Sequence, residues 1–297
     1  MTAAVVGGRT DTRLGVLLMV ATTVIFAAQD GLSRHLADNY NVLMVVMIRY
    51  WFFAAFVVAL AARRSGGLRA AAASRQPMLQ IFRGALLALE ICVTVVAFVL
   101  LGLIESHAVF ACYPLLIAAL SGPILGERVG WRRWAAIGIG FVGILIILQP
   151  GTGALAPEAV IPLLAAFMFA LYGLLTRYVA RRDSVETSFF WTGVAGAVVM
   201  TAMGVWFWEP MVPADWALMA TLCVTGVSGH WLLIKCYEVA EASAVQPFAY
   251  LQLVWVSVVG ILVFGEALRA NVAAGAALIV GAGVFTLMRE RARATAR

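Results

Sequence analysis

Apolar residues run along this chain in ten continuous stretches, 13–33, 42–62, 78–101, 105–124, 131–149, 157–178, 185–207, 215–238, 242–264 and 271–289, with short polar connections between them. The runs do not alternate polar with apolar, so they predict helices rather than strands. A helix of about 20 apolar residues matches a hydrocarbon core of roughly 30 Å. In lipid the backbone must also satisfy its own hydrogen bonds. The pattern therefore predicts an all-α integral membrane protein of ten transmembrane helices. The longest connection, 63–77, carries Arg63, Arg64, Arg69 and Arg75 and leaves no room for a soluble domain.

The pattern also repeats. From Ser106 to Gly143 it reads as an apolar run with Pro114, a Gly126-Glu127-Arg128 turn, and a run spaced by Gly138, Gly140 and Gly143. From Ala242 to Gly283 it returns with Pro247, Gly265-Glu266, and Gly275, Gly281 and Gly283. An offset of 139 sets Gly126-Glu127 on Gly265-Glu266, Leu116 on Trp255 and Leu125 on Phe264. An offset of 143 sets Phe26-Ala27 on Phe169-Ala170 and Ser33-Arg34 on Thr176-Arg177. Two units follow, 13–149 and 157–289, each of five spans. Five is odd, so the second must enter the membrane inverted, an arrangement typical of secondary transporters with a site near the midplane.

Composition changes this picture only by closing alternatives. The chain is 63% hydrophobic and 12% charged, with a mean hydropathy of +0.97, which excludes a soluble domain. Its net charge of +6 would suggest nucleic acid in a soluble protein, but its placement argues for topology instead. With both termini inside, the cytoplasmic loops and ends hold sixteen arginines, and only Arg34 and Arg269 lie outside; Arg49, Arg83 and Lys235 fall within spans. Cys92, Cys112, Cys223 and Cys236 sit in apolar runs without metal-ligand spacing and read as packing residues. The run Leu14–Ala28 lacks a small-x-small cleavage pattern and reads as the first span rather than a signal peptide.

The ten spans, the two five-span repeats and the Gly-Glu turn after segments 4 and 9 together resemble the drug/metabolite transporter superfamily, in its EamA-type branch. The resemblance covers about Arg13 to Arg289, and among members the chain looks most like bacterial aromatic amino-acid and metabolite exporters. It implies a multi-pass protein of the bacterial cytoplasmic (inner) membrane, working as a monomer without a cofactor or metal. It also implies a basket in which segments 3, 4, 8 and 9 line a central cavity, helped by 1, 2, 6 and 7, with 5 and 10 at the periphery. One departure stands out: Leu253, not a proline, lies opposite Pro114, and Pro247 places the kink of segment 9 nearer the cytoplasm.

Charged groups within a bilayer are costly and mark pathways or pairs. Glu90 lies near mid-depth in segment 3, with Arg83 a heptad back and Thr94 a turn on. It fits either a structural ion pair or a site for a substrate ammonium or a proton. Segment 8 offers Ser228, Trp231, Lys235 and Glu238 on one stripe, with His230 about 100° away by helical geometry. Lys235 either snorkels to the interface or anchors a carboxylate or Glu90. Segment 9 adds Gln246, Tyr250, Gln252 and Trp255, and segment 4 adds His107 and Tyr113. Trp206, Trp208 and Trp216 read as interfacial belt residues. Asp30 and Arg49 lie toward the outer side, where they form a structural pair or a gate. Ala136/Gly140 and Ala277/Gly281 suit close helix packing, and the two Gly-Glu glutamates suit capping or the repeat interface.

This inventory favours a secondary transporter that exports small amphipathic metabolites, amino acids including aromatic ones, by alternating access through a central cavity. Sugar-phosphate carriage would need clustered basic residues, and segment 9 has none. The alternative from another class is an integral-membrane enzyme acting on lipid-linked substrates. The three histidines, His35, His107 and His230, fall in different segments without an enzyme motif, and no phosphate-binding Gly-x-x-x-x-Gly-Lys loop exists.

Overall fold

The computed structural model describes residues 12–126, 130–149, 157–240, 245 and 248–295. Among them every regular element is helical: α1 (Thr12–Asn39), α2 (Val42–Ala62), α3 (Gly67–Ala72), α4 (Pro77–Leu101), α5 (Leu103–Phe110), α6 (Tyr113–Leu125), α7 (Trp131–Leu148), α8 (Ile161–Val179), α9 (Val185–Gly204), α10 (Pro213–Val239), α11 (Leu251–Phe264) and α12 (Ala270–Thr295). Seven stretches are long and apolar enough to cross a membrane: Arg13–Asn39, Val42–Ala62, Pro77–Leu101, Leu103–Leu125, Ile161–Val179, Val185–Phe207 and Pro213–Leu233. Trp134–Leu148, Leu251–Phe264 and Ala270–Phe285 are apolar but shorter. The 14 residues of α11 rise only about 21 Å. The ten expected spans thus divide into seven long helical stretches and three short ones.

Local chemistry sets the helix ends. Asn41 caps α2 by accepting from Leu43 N, and Ser184 caps α9 by accepting from Thr187 N. The glycine of each Gly-Glu turn closes its helix: Gly126 ends α6 at φ +75° and Gly265 ends α11 at φ +66°, backbone that a β-carbon disfavours. The span Leu103–Leu125 is broken at Ala111–Cys112, and Pro114 falls in the first turn of α6, where its missing N–H costs least. Pro247, Gln246 and Glu127 lie outside the described residues, as does the side chain of Glu238.

α1 lies along α10 and α11, α4 along α8 and α9, α6 along α8, α2 along α9, and α7 along α12. The last two pairs are antiparallel. Leu43 of α2 meets Gly204 of α9 while Val57 meets Gly193, and Ile147 of α7 meets Gly275 of α12 while Gly140 lies near Ala282. Buried Met44, Tyr50, Met200 and Leu222 fill the space among α2, α9 and α10, and Ile104, Ile144, Val272 and Ile279 fill that among α5, α7 and α12.

The small residues that bring α7 onto α12 are Gly143 and Gly275. A β-carbon on Gly143 would stand 2.7 Å from Gly275 O and 2.9 Å from Ile279 Cγ1. Ala277 and Gly281, expected to serve close helix packing, face outward, because the buried side of α12 follows Val272, Gly275, Ala276 and Ile279. Gly143→Val is expected to destabilise by about 1–3 kcal/mol through overpacking. Gly138→Ala, where nothing lies within 4 Å, serves as the neutral control. Thermal unfolding in detergent compares the two, and equal melting temperatures would remove Gly143 from the contact.

Between α8 and α9, Asp183 ties down the start of α4. Its carboxylate accepts from Ser74 Oγ, from Arg75 N at 2.8 Å and from Gln80 Nε2 at 2.9 Å. Burial works to raise this carboxyl, but the hydrogen bonds outweigh it and hold Asp183 below the usual carboxylate range.

Candidate functional site

Polar side chains inside the helical bundle gather in three places, each built from helices far apart in sequence. The first is a clamp around Arg83 of α4, which is fully buried. Its guanidinium donates to Gln80 Oε1, Tyr172 Oη, Thr176 Oγ1, the Ser188 carbonyl and Thr192 Oγ1, and lies 5.2 Å from the Tyr172 ring centre. Every donor has work to do in joining α4 to α8 and α9. Arg83 is committed to structure, a heptad from Glu90.

The second group surrounds Glu90. Its carboxylate is buried and accepts from Thr94 Oγ1 at 2.6 Å, so these two sequence candidates bond to each other along α4. Arg49 of α2 and Asp30 of α1 are the charged groups whose fields reach Glu90, and the field of Arg49 reaches His230 of α10 as well. Arg49 lies against Gly226, beside the buried Gln29 of α1, whose Oε1 has no hydrogen-bond partner among the described residues. His230 turns inward, with its ring 5.3 Å from Phe26 and 6.1 Å from Phe53, and bonds the Gly226 carbonyl through Nδ1 at 2.8 Å. Gln29 escaped notice in the sequence because an amide in an apolar run is an ordinary sight; only its burial beside a cation sets it apart.

The third group joins Asp30 of α1 to His107 of α5 and Gln252 of α11. His107 Nε2 lies 3.1 Å and Gln252 Nε2 2.9 Å from the same oxygen, Asp30 Oδ2. Asp30 thus takes partners other than Arg49, its expected mate on the neighbouring helix. His107 and Gln252 also line a small, partly open cavity of about 40 Å³, shared with Phe110, Tyr113, Pro114 and Tyr250. The cavity sits where the α5–α6 break faces the residues just before α11. Tyr113, Tyr250 and Gln252, three of the sequence candidates, meet there. Aromatic contacts extend the wall: Phe110 and Tyr113 lie 5.4 Å apart, Tyr113 and Phe169 5.0 Å, and Phe169 and Tyr172 6.1 Å.

Trp231 and Lys235 stand apart from these groups. Lys235 Nζ lies 5.1 Å from the Trp231 ring centre, and Trp231 is 40% exposed. They share the uncovered face of α10 with Ala217, Thr221 and Val224, opposite the buried face of Leu222, Gly226 and Gly229. Thr221 and Ser228 on that face donate to the carbonyls of Ala217 and Val224, which lets a hydroxyl face an apolar medium.

At the ends of α1, α5 and α11 a fourth cluster forms around Glu266. Arg34 pairs with its Oε1, Leu103 N donates to Oε1 at 2.7 Å, and Ile104 N donates to Oε2 at 2.9 Å. This carboxylate therefore caps the first turn of α5 from the opposite half of the chain. Close by, Arg269 pairs with Glu105.

Known proteins resemble the chain over nearly its whole length. An S-adenosylmethionine uptake transporter of Rickettsia prowazekii (strain Madrid E) is 26% identical over 280 residues, 93% of each chain. A riboflavin transporter of Rhizobium johnstonii is 28% identical over 285 residues, 94% of this chain and 93% of its own. A pseudopaline exporter of Pseudomonas aeruginosa is 26% identical over 270 residues, 90% and 93%. A solved crystal structure superposes with a TM-score of 0.62 at 21% identity, covering 95% of this chain and 99% of its own, a likeness of fold. The model of the EamA-like transporter family matches twice, over residues 13–149 and 157–288. A multi-pass helical protein matched along both halves in this way is a transporter rather than an enzyme, and it belongs to the EamA-like transporter family.

Proposed function

We propose that the chain is a secondary transporter of the bacterial inner membrane that carries small amphipathic metabolites with an aromatic ring and a polar tail, aromatic amino acids among them. The observation that carries this reading is the cavity at the α5–α6 break, whose aromatic walls, Phe110, Tyr113 and Tyr250, stand beside the polar His107 and Gln252. Flat rings stack on such walls, and the polar groups orient the tail. The names of the relatives agree with it: S-adenosylmethionine is an amino acid joined to an adenine ring, and riboflavin is a flavin ring with a hydroxylated chain. Both uptake and export occur among those names, so direction follows the gradient and export is the reading kept here.

Alternating access by ten spans in two inverted repeats is part of the proposal. Exchanging α1, α2, α4, α5–α6 and α7 for α8, α9, α10, α11 and α12 turns the pairing α1–α10 into α8–α4, α1–α11 into α8–α6, and α4–α9 into α10–α2. It leaves α2–α9 and α7–α12 as they are, and both pairs are antiparallel, as equivalent helices of inverted copies must be. α7 and α12 lie against each other, and with the short α11 they complete the count of ten. The carrier then works as a monomer, without a cofactor.

Glu90 with Thr94 takes a substrate ammonium, and Arg49 takes the opposite charge of a zwitterion, with the His230 ring packed beside it. Lys235 and Trp231 serve the membrane-facing surface. Counterflow in proteoliposomes tests the reading, with aromatic amino acids, S-adenosylmethionine and riboflavin as labelled solutes. Exchange of ring-bearing solutes is expected, lost in Tyr250→Ala. Glu90→Gln is expected to lose the zwitterions by about tenfold, the worth of one charge-assisted hydrogen bond, and to keep riboflavin. Exchange confined to solutes without a ring would overturn the cargo class.

A further inference from the structure

We infer that His107 and Asp30 hold one proton between them in this conformation, and that this shared proton is the coupling ion of the carrier. The inference rests on the transporter reading above and adds a driving force to it. Both nitrogens of the His107 ring face acceptors. Nδ1 lies 3.2 Å from the Leu103 carbonyl, and Nε2 lies 3.1 Å from Asp30 Oδ2. A neutral imidazole has one N–H and one lone pair, so either tautomer would set a lone pair against an oxygen. One added proton removes the conflict, as an imidazolium beside a carboxylate or as a neutral ring beside a protonated Asp30. The arrangement is that of the proton-loaded pair.

The surroundings suit that proton. The Phe98 ring stacks on His107 at 4.9 Å and 11°, a face that attracts a cationic ring. The side chains of His107 and Asp30 are 8% and 13% exposed, so solvent screens the pair little. Other ionisable groups nearby are engaged or set back. On α1, Arg34 is paired with Glu266 and, at 3.8 Å, with Asp38; on α5, Glu105 is paired with Arg269; and on α4, Glu90 bonds Thr94 and feels the opposed charges of Arg49 and of Asp30 itself. Tyr113 and Tyr250 face the shared cavity, and His230 sits among Phe26 and Phe53.

Position makes the proton mechanically useful. Asp30 belongs to α1, His107 to α5 and Gln252 to α11, so the loaded pair ties three helices together beside the cavity. Release of the proton to water leaves an unpaired acceptor contact within that tie and weakens the hold of α1 on α5. The step is proton binding and release alone, with no bond made or broken elsewhere.

Nitrogen-15 NMR of labelled histidine in proteoliposomes tests the site without any cargo. The chain has 3 histidines, which makes assignment by single substitution direct. A doubly protonated His107 ring, or a proton shared with Asp30 and seen as a strongly deshielded resonance, is expected at pH 7. Asp30→Asn is expected to return the ring to a neutral tautomer. In transport, a gradient of one pH unit should drive about tenfold accumulation of an exchanging solute if one proton moves per cargo. The Asp30→Asn protein is expected to lose that accumulation. A neutral ring without a shared proton at pH 7 overturns the site. Accumulation equal to wild type in Asp30→Asn overturns the coupling. If riboflavin, S-adenosylmethionine and the aromatic amino acids all fail to exchange, the cargo reading falls, and the NMR result still decides the proton site.

Discussion

Arg83→Ala is expected to lower the melting temperature in detergent by about 10 °C. The guanidinium is fully buried and donates to five acceptors, among them the buried Ser188 carbonyl and Gln80 Oε1. Truncation strips Gln80 Oε1 of its donor, while the Ser188 carbonyl keeps the Thr192 hydroxyl and Thr176 keeps the Tyr172 carbonyl; at about 1–3 kcal/mol for each group left unpaired, about 3–5 kcal/mol is a fair total. Lysine tests whether charge or shape matters. One ammonium cannot span Tyr172 and Thr176 on α8 together with Ser188 and Thr192 on α9, because its three donors leave a single point. Arg83→Lys is therefore expected to recover less than half of the loss. Full recovery by lysine would show that the buried charge, balanced through Gln80 by Asp183, is what α4 requires.

Much of this molecule was legible in the sequence because lipid imposes simple rules. Apolar runs of span length must be helices, and a Gly-Glu turn recurring at one offset betrays a duplication before any contact is known. The turn glycines behave as their pattern requires, in the left-handed region at the ends of α6 and α11. Glu266 serves as a cap, the role its position at a span end suggested. The side-chain groupings were less legible, for two physical reasons. Polarity does not mark the inside of a membrane protein: the stripe of Ser228, Trp231 and Lys235 lies on the uncovered face of α10, where its hydroxyl bonds its own helix, while His230 points inward. Nor does closeness in the chain choose partners. Asp30 was matched with Arg49 across one short loop, yet its mates come from positions 107 and 252, delivered by the packing of α1 against α5 and α11. No local period carries that information. The same holds for helix contacts: small residues four apart on α12 pointed to Ala277 and Gly281, but the buried register is set by what α7 presents, and Gly275 is the residue that meets it.

Glu266→Ala and Arg34→Ala are each expected to cost about 3–5 kcal/mol, and the double substitution no more than either alone. The carboxylate and guanidinium side chains are 14% and 15% exposed, so each depends on the other for compensation. Removing the carboxylate strands the N–H groups of Leu103 and Ile104 and leaves Arg34 only its longer contact with Asp38, at 3.8 Å. Removing the arginine strands a carboxylate against the start of α5, though the helix N-terminus still favours it, so this loss should be the smaller. Arg34 also lies 4.1 Å from the Phe264 ring centre, a contact that goes with either change if the guanidinium swings out to solvent. Glu266→Gln separates the two roles of the group. The amide oxygen can still accept from the α5 backbone but no longer balances Arg34, so a loss close to that of alanine would place the value of Glu266 in its charge, and a small loss would place it in the cap. The double-mutant cycle in thermal unfolding is decisive, because coupled neighbours depart from additivity and independent ones do not. Additive losses would mean that α1 is not held to α5 and α11 through this pair. That hold is the same one that Asp30 makes a turn earlier on α1, so the two contacts should fail together: Glu266→Ala is expected to loosen His107 and shift its ring resonances as well.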